Sequence, residues 1–171
     1  SFHSFVRSLV KLKELGIIDD SLKVVQPQTY IILMGDLVDR SPFTLETLTT
    51  AMRLLQNNPN NVAYLRGNHE DKNYWQEHTL KTELQIRAEN FLKNGSIPLE
   101  KEVNEFFNTL PLAVYLSIPN SQTDFVRISE ASRSDNGILN EGSYADFLKQ
   151  QQSSKLSTFI IKEKSATRID P

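Results

Sequence analysis

Apolar side chains at Phe2, Phe5, Leu9 and Leu12 fall on one face of a helix, and Gly16 follows the last turn as a C-terminal cap would. The next apolar run, TYIILM from Thr29 to Met34, abandons that period. It is short, partly β-branched and without alternation, the pattern of a strand covered on both faces in a parallel sheet. GDLVDR, residues 35–40, is then the loop at its carboxyl end. Ser41 and Pro42 suit an N-cap and first helical position, and Leu45, Leu48, Met52 and Leu55 repeat at helical spacing until NNPNN, residues 57–61. NVAYL, residues 61–65, reads as a second buried strand. If it pairs parallel with the first, it delivers RGNHE, residues 66–70, to the same carboxyl edge.

Leu80, Leu84, Ala88 and Phe91 mark a third helix ended by NGS, and Val103, Phe106, Phe107 and Leu110 a fourth ended by Pro111. LAVYLSI (112–118) and DFVRIS (124–129) read as two strands joined by the turn-rich PNSQT. Beyond Glu130 the pattern weakens: residues 130–143 are loop-like, YADFLKQQQ suits a short helix and LSTFIIKEK a final strand. The whole predicts an α/β domain with active loops at the carboxyl ends of its strands.

Composition narrows the chemistry. The length of 171 residues suits one domain, spanning 1–171. No apolar run approaches the ~20 residues of a membrane span. Nineteen basic and twenty-one acidic side chains leave a net charge of −2, so there is no general attraction to nucleic acid and any phosphate recognition must be local. Without cysteine there is no disulfide, thiolate catalysis or thiolate-held zinc. Catalysis has to come from His, Asp, Asn and Arg.

Those residue types are gathered in the two loops. A phosphate ester resists attack because its anionic oxygens repel the nucleophile and its leaving group departs as an alkoxide. Two metal ions about 3.5–4 Å apart answer both problems, and they need hard oxygen and imidazole ligands with one bridging carboxylate. Asp36, at the first turn after a strand, suits the bridge, and Asn68 can supply an amide oxygen to one ion. Arg40 offers a planar, permanently charged fork that matches phosphate. His69 would be the general acid for the leaving oxygen, with Asp39 holding its imidazole in the productive tautomer. Oxygen and imidazole ligation with an open position admits manganese, iron or zinc, and manganese is taken as the first candidate for the two ions.

GDLVDR followed at this distance by LRGNHED resembles the metallophosphoesterase superfamily, specifically the phosphoprotein phosphatase family of serine/threonine phosphatases. FFNTLPLAVYL looks like that family's helix into a strand, and SFHSFVRSLVKL like its first helix; the likeness covers roughly residues 1–129. It implies a calcineurin-like metallophosphoesterase sandwich. It also implies a two-metal protein phosphatase, working by direct attack of a metal-bound hydroxide on phosphorylated protein side chains. Asp36 and Asn68 would then bind metal, Asp39 and His69 form the acid dyad, and Arg40 bind phosphate. The continuation GNHEDKNYW resembles bacterial members, including secreted effectors, which sets the expected place of action as the cytoplasm, or a host's cytoplasm for an effector.

The departures are as specific as the matches. The family's opening Asp-x-His-Gly would precede Ser1, EASR stands where its His-Gly-Gly would follow DFVRIS, no later Gly-His is found, and Ser41 replaces the glycine usual after the Asp-Arg pair. Such a sequence reads as a fragment or as one from which metal-ordered loops are omitted, the latter agreeing better with the loop character of every missing motif. Two rival functions stay open: an inactive pseudophosphatase that binds phosphoproteins, and a nucleotide or phosphodiester hydrolase of the same superfamily. Glu70 reads as a structural brace and Arg66 as either brace or phosphate contact, while His3 and His78 read as surface or packing residues. Tyr74 and Trp75 are read as lining a substrate groove or packing beneath the loop.

Overall fold

The computed structural model describes residues 2–91, 99–117, 125–130 and 159–161. The chain divides into two compact units, Ser1–Leu110 and Pro111–Pro171. The first contains α1 (Phe2–Glu14), β1 (Ile31–Leu33), α2 (Thr44–Asn57), β2 (Val62–Tyr64), the short α3 (Lys72–Trp75), α4 (Thr79–Phe91) and α5 (Leu99–Thr109). In the second, β3 (Ala113–Ser117) lies between β4 (Phe125–Ile128) and β5 (Phe159–Ile161), antiparallel to both. The expected final strand is therefore present and pairs with β3. The helix expected over 144–152 lies outside the described residues, as does the NGS stop after α4.

In the first unit β1 and β2 pair in parallel, Ile31 opposite Val62 and Leu33 opposite Tyr64. The ladder continues past β2, where the Leu65 amide donates to the Leu33 carbonyl at 2.8 Å. Parallel neighbours end at the same edge, so residues 35–40 and 66–70 emerge side by side, as the sequence pattern predicts. The strands differ in cover. β2 is buried throughout, whereas every residue of β1 is only half-buried and Met34 just beyond it is exposed. The expectation that β1 is covered on both faces is corrected: an unbroken apolar run reports hydrophobicity, not how many layers pack on it.

Two cores flank the pair. Leu48, Ala51, Tyr64, Trp75, Leu80, Leu84 and Phe107 gather from α2, β2, α3, α4 and α5. Leu9, Ile18, Leu54 and Val62 form the other, where α1 meets α2 and β2. Of the α1 face read from Phe2, Phe5, Leu9 and Leu12, the last three pack here while the Phe2 ring meets Phe43, and Gly16 takes the left-handed conformation (φ 69°) that a C-terminal cap requires.

The start of α2 departs from expectation. Its cap position is Phe43, which offers no side-chain acceptor, and Ser41 instead accepts from the Phe43 amide in a turn before the helix. The acceptor comes from another helix: Glu83 of α4 takes the amides of Thr44 (2.8 Å) and Leu45 (3.3 Å). Arg87, one turn further along α4, pairs with Glu46 and reaches Glu83. Glu83 thus joins α2 to α4 while satisfying amides that a helix start leaves open. We expect Glu83→Ala to lower stability by about 1 kcal/mol and Tm by about 3 °C. Thermal melts of the variant and of Ser41→Ala check this, the latter leaving Tm nearly unchanged if Ser41 is no cap.

Candidate active site

The two loops are stitched by one buried carboxylate. Glu70 Oε2 accepts the amides of Asp36 (2.9 Å) and Gly67 (2.8 Å), while Oε1 accepts the Leu37 amide (2.9 Å) and the Tyr64 hydroxyl (2.8 Å). Four donors from both strands' ends converge on a side chain with 0% exposure. Burial pushes the Glu70 carboxyl above the ordinary glutamate range against the pull of those donors. Burial, followed by the charge of Glu70, pushes the Tyr64 phenol well above its own. The brace read into Glu70 from sequence is therefore what the fold makes of it.

Close approach of the loops depends on two glycines. A Cβ on Gly35, whose φ is +94°, would stand 2.5 Å from the Gly67 amide nitrogen. One on Gly67 would stand 2.2 Å from Asp36 Oδ1 and 2.6 Å from the Asp36 amide nitrogen. No side chain fits at either position without separating the loops. Between them the backbone turns through left-handed conformations at Asp36 (φ 53°), Asp39 (64°) and Arg40 (52°). Such residues cost about 1–3 kcal/mol each and persist only where their surroundings hold them.

The turn separates the carboxylates. Asp36 is exposed; its Oδ1 accepts the His69 amide at 3.1 Å, and its Oδ2 takes no hydrogen bond among the described residues. Asp39 is buried, with Oδ2 3.0 Å from His69 Nδ1 and Oδ1 accepting the Leu80 amide (2.8 Å) and, at longer range, the Thr79 hydroxyl (3.4 Å). An acceptor-only carboxylate at Nδ1 requires that nitrogen to carry hydrogen, which leaves Nε2 as the working atom. His69 Nε2 is itself buried and has no hydrogen-bond partner among the described residues. Arg40 is exposed, without an ion pair or hydrogen bond among them. Asn68 is half-buried and stands in the chain between Gly67, whose Cα adjoins the Asp36 carboxylate, and His69, whose amide donates to it.

All five residues picked out in the sequence thus stand in these two adjoining loops, with Asp39 and His69 in contact. The donors that orient Asp39, Thr79 and Leu80, carry no sequence signal, since one of them is a backbone amide. Tyr74 packs edge-on against His69, whereas Trp75 is buried in the core against Phe107. Arg66 makes a long contact, 3.4 Å, to Asn108, which favours the bracing role. His3 is exposed and touches the Phe2 and Phe43 rings.

The donor chemistry meets part of what a divalent ion needs. The open carboxylate oxygen of Asp36 and the adjacent Asn68 amide suit a hard cation. No group of three His, Asp or Glu side chains among the described residues is placed to hold one. These residues fit one side of a metal centre and do not by themselves enclose it.

A buried His–Asp pair thus stands beside an open carboxylate at the edge of a parallel strand pair, and a comparison over most of the sequence gives the class of protein to which this arrangement belongs. The calcineurin-like phosphoesterase family profile matches residues 5–158, and the chain belongs to that family and its fold. The serine/threonine-protein phosphatase ppe1 of Schizosaccharomyces pombe is 32% identical over 133 residues, which are 71% of this chain and 41% of that protein. Serine/threonine-protein phosphatase SIT4 of Candida albicans is 35% identical over 89 residues, 52% of this chain and 26% of that one. The chain spans less than half the length of either. Among solved structures, a Saccharomyces cerevisiae protein serine/threonine phosphatase with similarity to human phosphatase PP5 is 25% identical at a TM-score of 0.49. That match covers 64% of this chain and 30% of the other.

Replacing Glu70 by Gln places an amide group against donor N–H groups, and each buried donor left without an acceptor costs about 1–3 kcal/mol. We expect Glu70→Gln to lose about 2–5 kcal/mol of stability by denaturant titration at neutral pH. A carboxyl raised above its unfolded value keeps its proton in the folded chain when the unfolded chain has lost it. Its contribution therefore falls as pH rises from the ordinary glutamate range through the raised value. The stability-against-pH curve of Glu70→Gln should lack that decline.

Proposed function

We propose that this chain acts as a metal-dependent protein phosphatase, hydrolysing phosphomonoesters on protein side chains. The observation that carries the reading is the His69–Asp39 dyad, oriented at Nδ1 and left free at Nε2. Protonated at both nitrogens as the imidazolium, with Nδ1–H on Asp39, His69 gives its Nε2 proton to the departing side-chain oxygen and is left as the neutral Nδ1–H imidazole; Asp39 keeps the ring aimed, and Arg40 holds the phosphoryl oxygens as the scissile bond breaks. Asp36 and Asn68 would hold divalent metal, with manganese the first candidate. When bound, such a centre supplies Lewis-acid polarisation of the phosphoryl group and an activated water. Names of relatives that include serine/threonine-protein phosphatase support a phosphoprotein as substrate. The cytoplasm, where protein kinases use ATP, is the expected compartment.

The test is turnover of phosphoserine and phosphothreonine peptides with manganese present, for the wild-type chain and its variants. We expect His69→Ala to lower kcat by about 10²–10⁴-fold, the usual contribution of a general acid. Arg40→Ala should act mainly through KM, and chelation of the metal should abolish turnover until manganese is restored. Phosphopeptide binding without turnover, unaffected by His69→Ala, would replace this reading by the pseudophosphatase one.

A further inference from the structure

We propose that His78 is a positioning residue for His69, closing with Tyr74 a clamp of rings around the imidazole. The inference rests on the reading of His69 as general acid. The His69 ring centroid lies 5.3 Å from that of His78 at 78° and 5.8 Å from that of Tyr74 at 65°, so both present edge-type contacts. Tyr74 and His78 stack on one another, 5.8 Å apart and 14° from parallel. The three rings form a closed triangle.

His78 is fixed by more than stacking. Its Nδ1 lies 2.6 Å from the Tyr74 carbonyl, which can only accept, so Nδ1 donates and the tautomer is set. The turn that carries both rings is held at each end. Asp71 caps it through the Asn73 amide (2.9 Å), and Trp75 anchors it in the core. Immediately after His78, Thr79 and Leu80 donate to Asp39. One short stretch, residues 71–80, therefore steadies both halves of the dyad: the carboxylate by hydrogen bonds and the imidazole by ring contacts.

The clamp answers a geometric need. A single hydrogen bond to Asp39 restrains one atom of the imidazole and leaves the ring plane free to tilt about it. Edge contacts from two further rings remove that tilt.

Leaving-group dependence separates this role from general support of the fold. A phosphoserine peptide needs its alkoxide protonated, whereas p-nitrophenyl phosphate releases a stable phenolate. His78→Ala is expected to lower kcat on the peptide about tenfold and on p-nitrophenyl phosphate by less than about twofold, with KM little changed. His78→Phe, which keeps a ring, should restore the peptide rate. Equal losses on both substrates, or none, would overturn the clamp. An independent readout is the ¹⁵N imidazole spectrum of His69. A sharp Nδ1–H resonance in wild type and His78→Phe, broadened in His78→Ala by tilting of the ring about its bond to Asp39, supports the clamp even if the chain turns over no substrate, an outcome that would overturn only the phosphatase reading. An unchanged His69 spectrum in His78→Ala overturns the clamp whatever the activity.

Discussion

The convergence of four donors on the buried Glu70 carboxylate is the interaction on which the site depends. β1 and β2 are three residues each, too short a ladder to fix the loops beyond them. Glu70 supplies what the ladder lacks. It belongs to the second loop yet takes amides of Asp36 and Leu37 from the first, and Asp36 in return takes the His69 amide from the second. The cross-links run in both directions, and charge-assisted bonds in a dry setting are the stronger kind. Gly35 and Gly67 make them possible by leaving out the Cβ atoms that would hold the loops apart.

With the loops fixed, strain becomes affordable. Left-handed backbone at Asp36, Asp39 and Arg40 sends two carboxylates of one short loop into opposite settings. Asp36 faces solvent with an open oxygen suited to a cation, and Asp39 is buried and spends its oxygens on His69, Leu80 and Thr79. The same side-chain chemistry serves two purposes because the environment, not the residue type, decides between them.

Much of this was legible in the sequence because it is local. Helical periods, the parallel strand pair and the meeting of residues 35–40 with 66–70 follow from apolar spacing and from where parallel strands end. The residues that the two loops bring together were legible because Asp, Asn, His and Arg are conspicuous at strand ends. What escaped is tertiary. Glu83 caps α2 from a different helix, so the local Ser41–Pro42 signal misled; the half-burial of β1 depends on what packs over it. His78 looked like a surface residue, and by exposure it is one, but its ring partner is the buried His69. No reading of spacing alone places the rings of a turn, five and nine residues further on, against His69.

The proposed acid dyad and the proposed metal-binding side differ in how completely the described residues build them. From Asp36 to Leu80 the chain provides the imidazole, its orienting carboxylate, the donors behind that carboxylate and the rings beside it. Each of these contacts runs between groups of the chain itself. Asp36 and Asn68, proposed to hold a cation, have no third His, Asp or Glu among the described residues placed to join them, and a stable site needs more donors than two. The orientation of His69 should therefore survive removal of metal, since nothing in its chain of hydrogen bonds passes through Asp36 Oδ2 or the Asn68 amide. The link between the two sides is the His69 backbone amide on Asp36 Oδ1, which fixes where the loop lies rather than how the imidazole is aimed. Changes at Asp36 are expected to act on phosphate activation, and changes along Asp39, Thr79 and His78 on proton delivery.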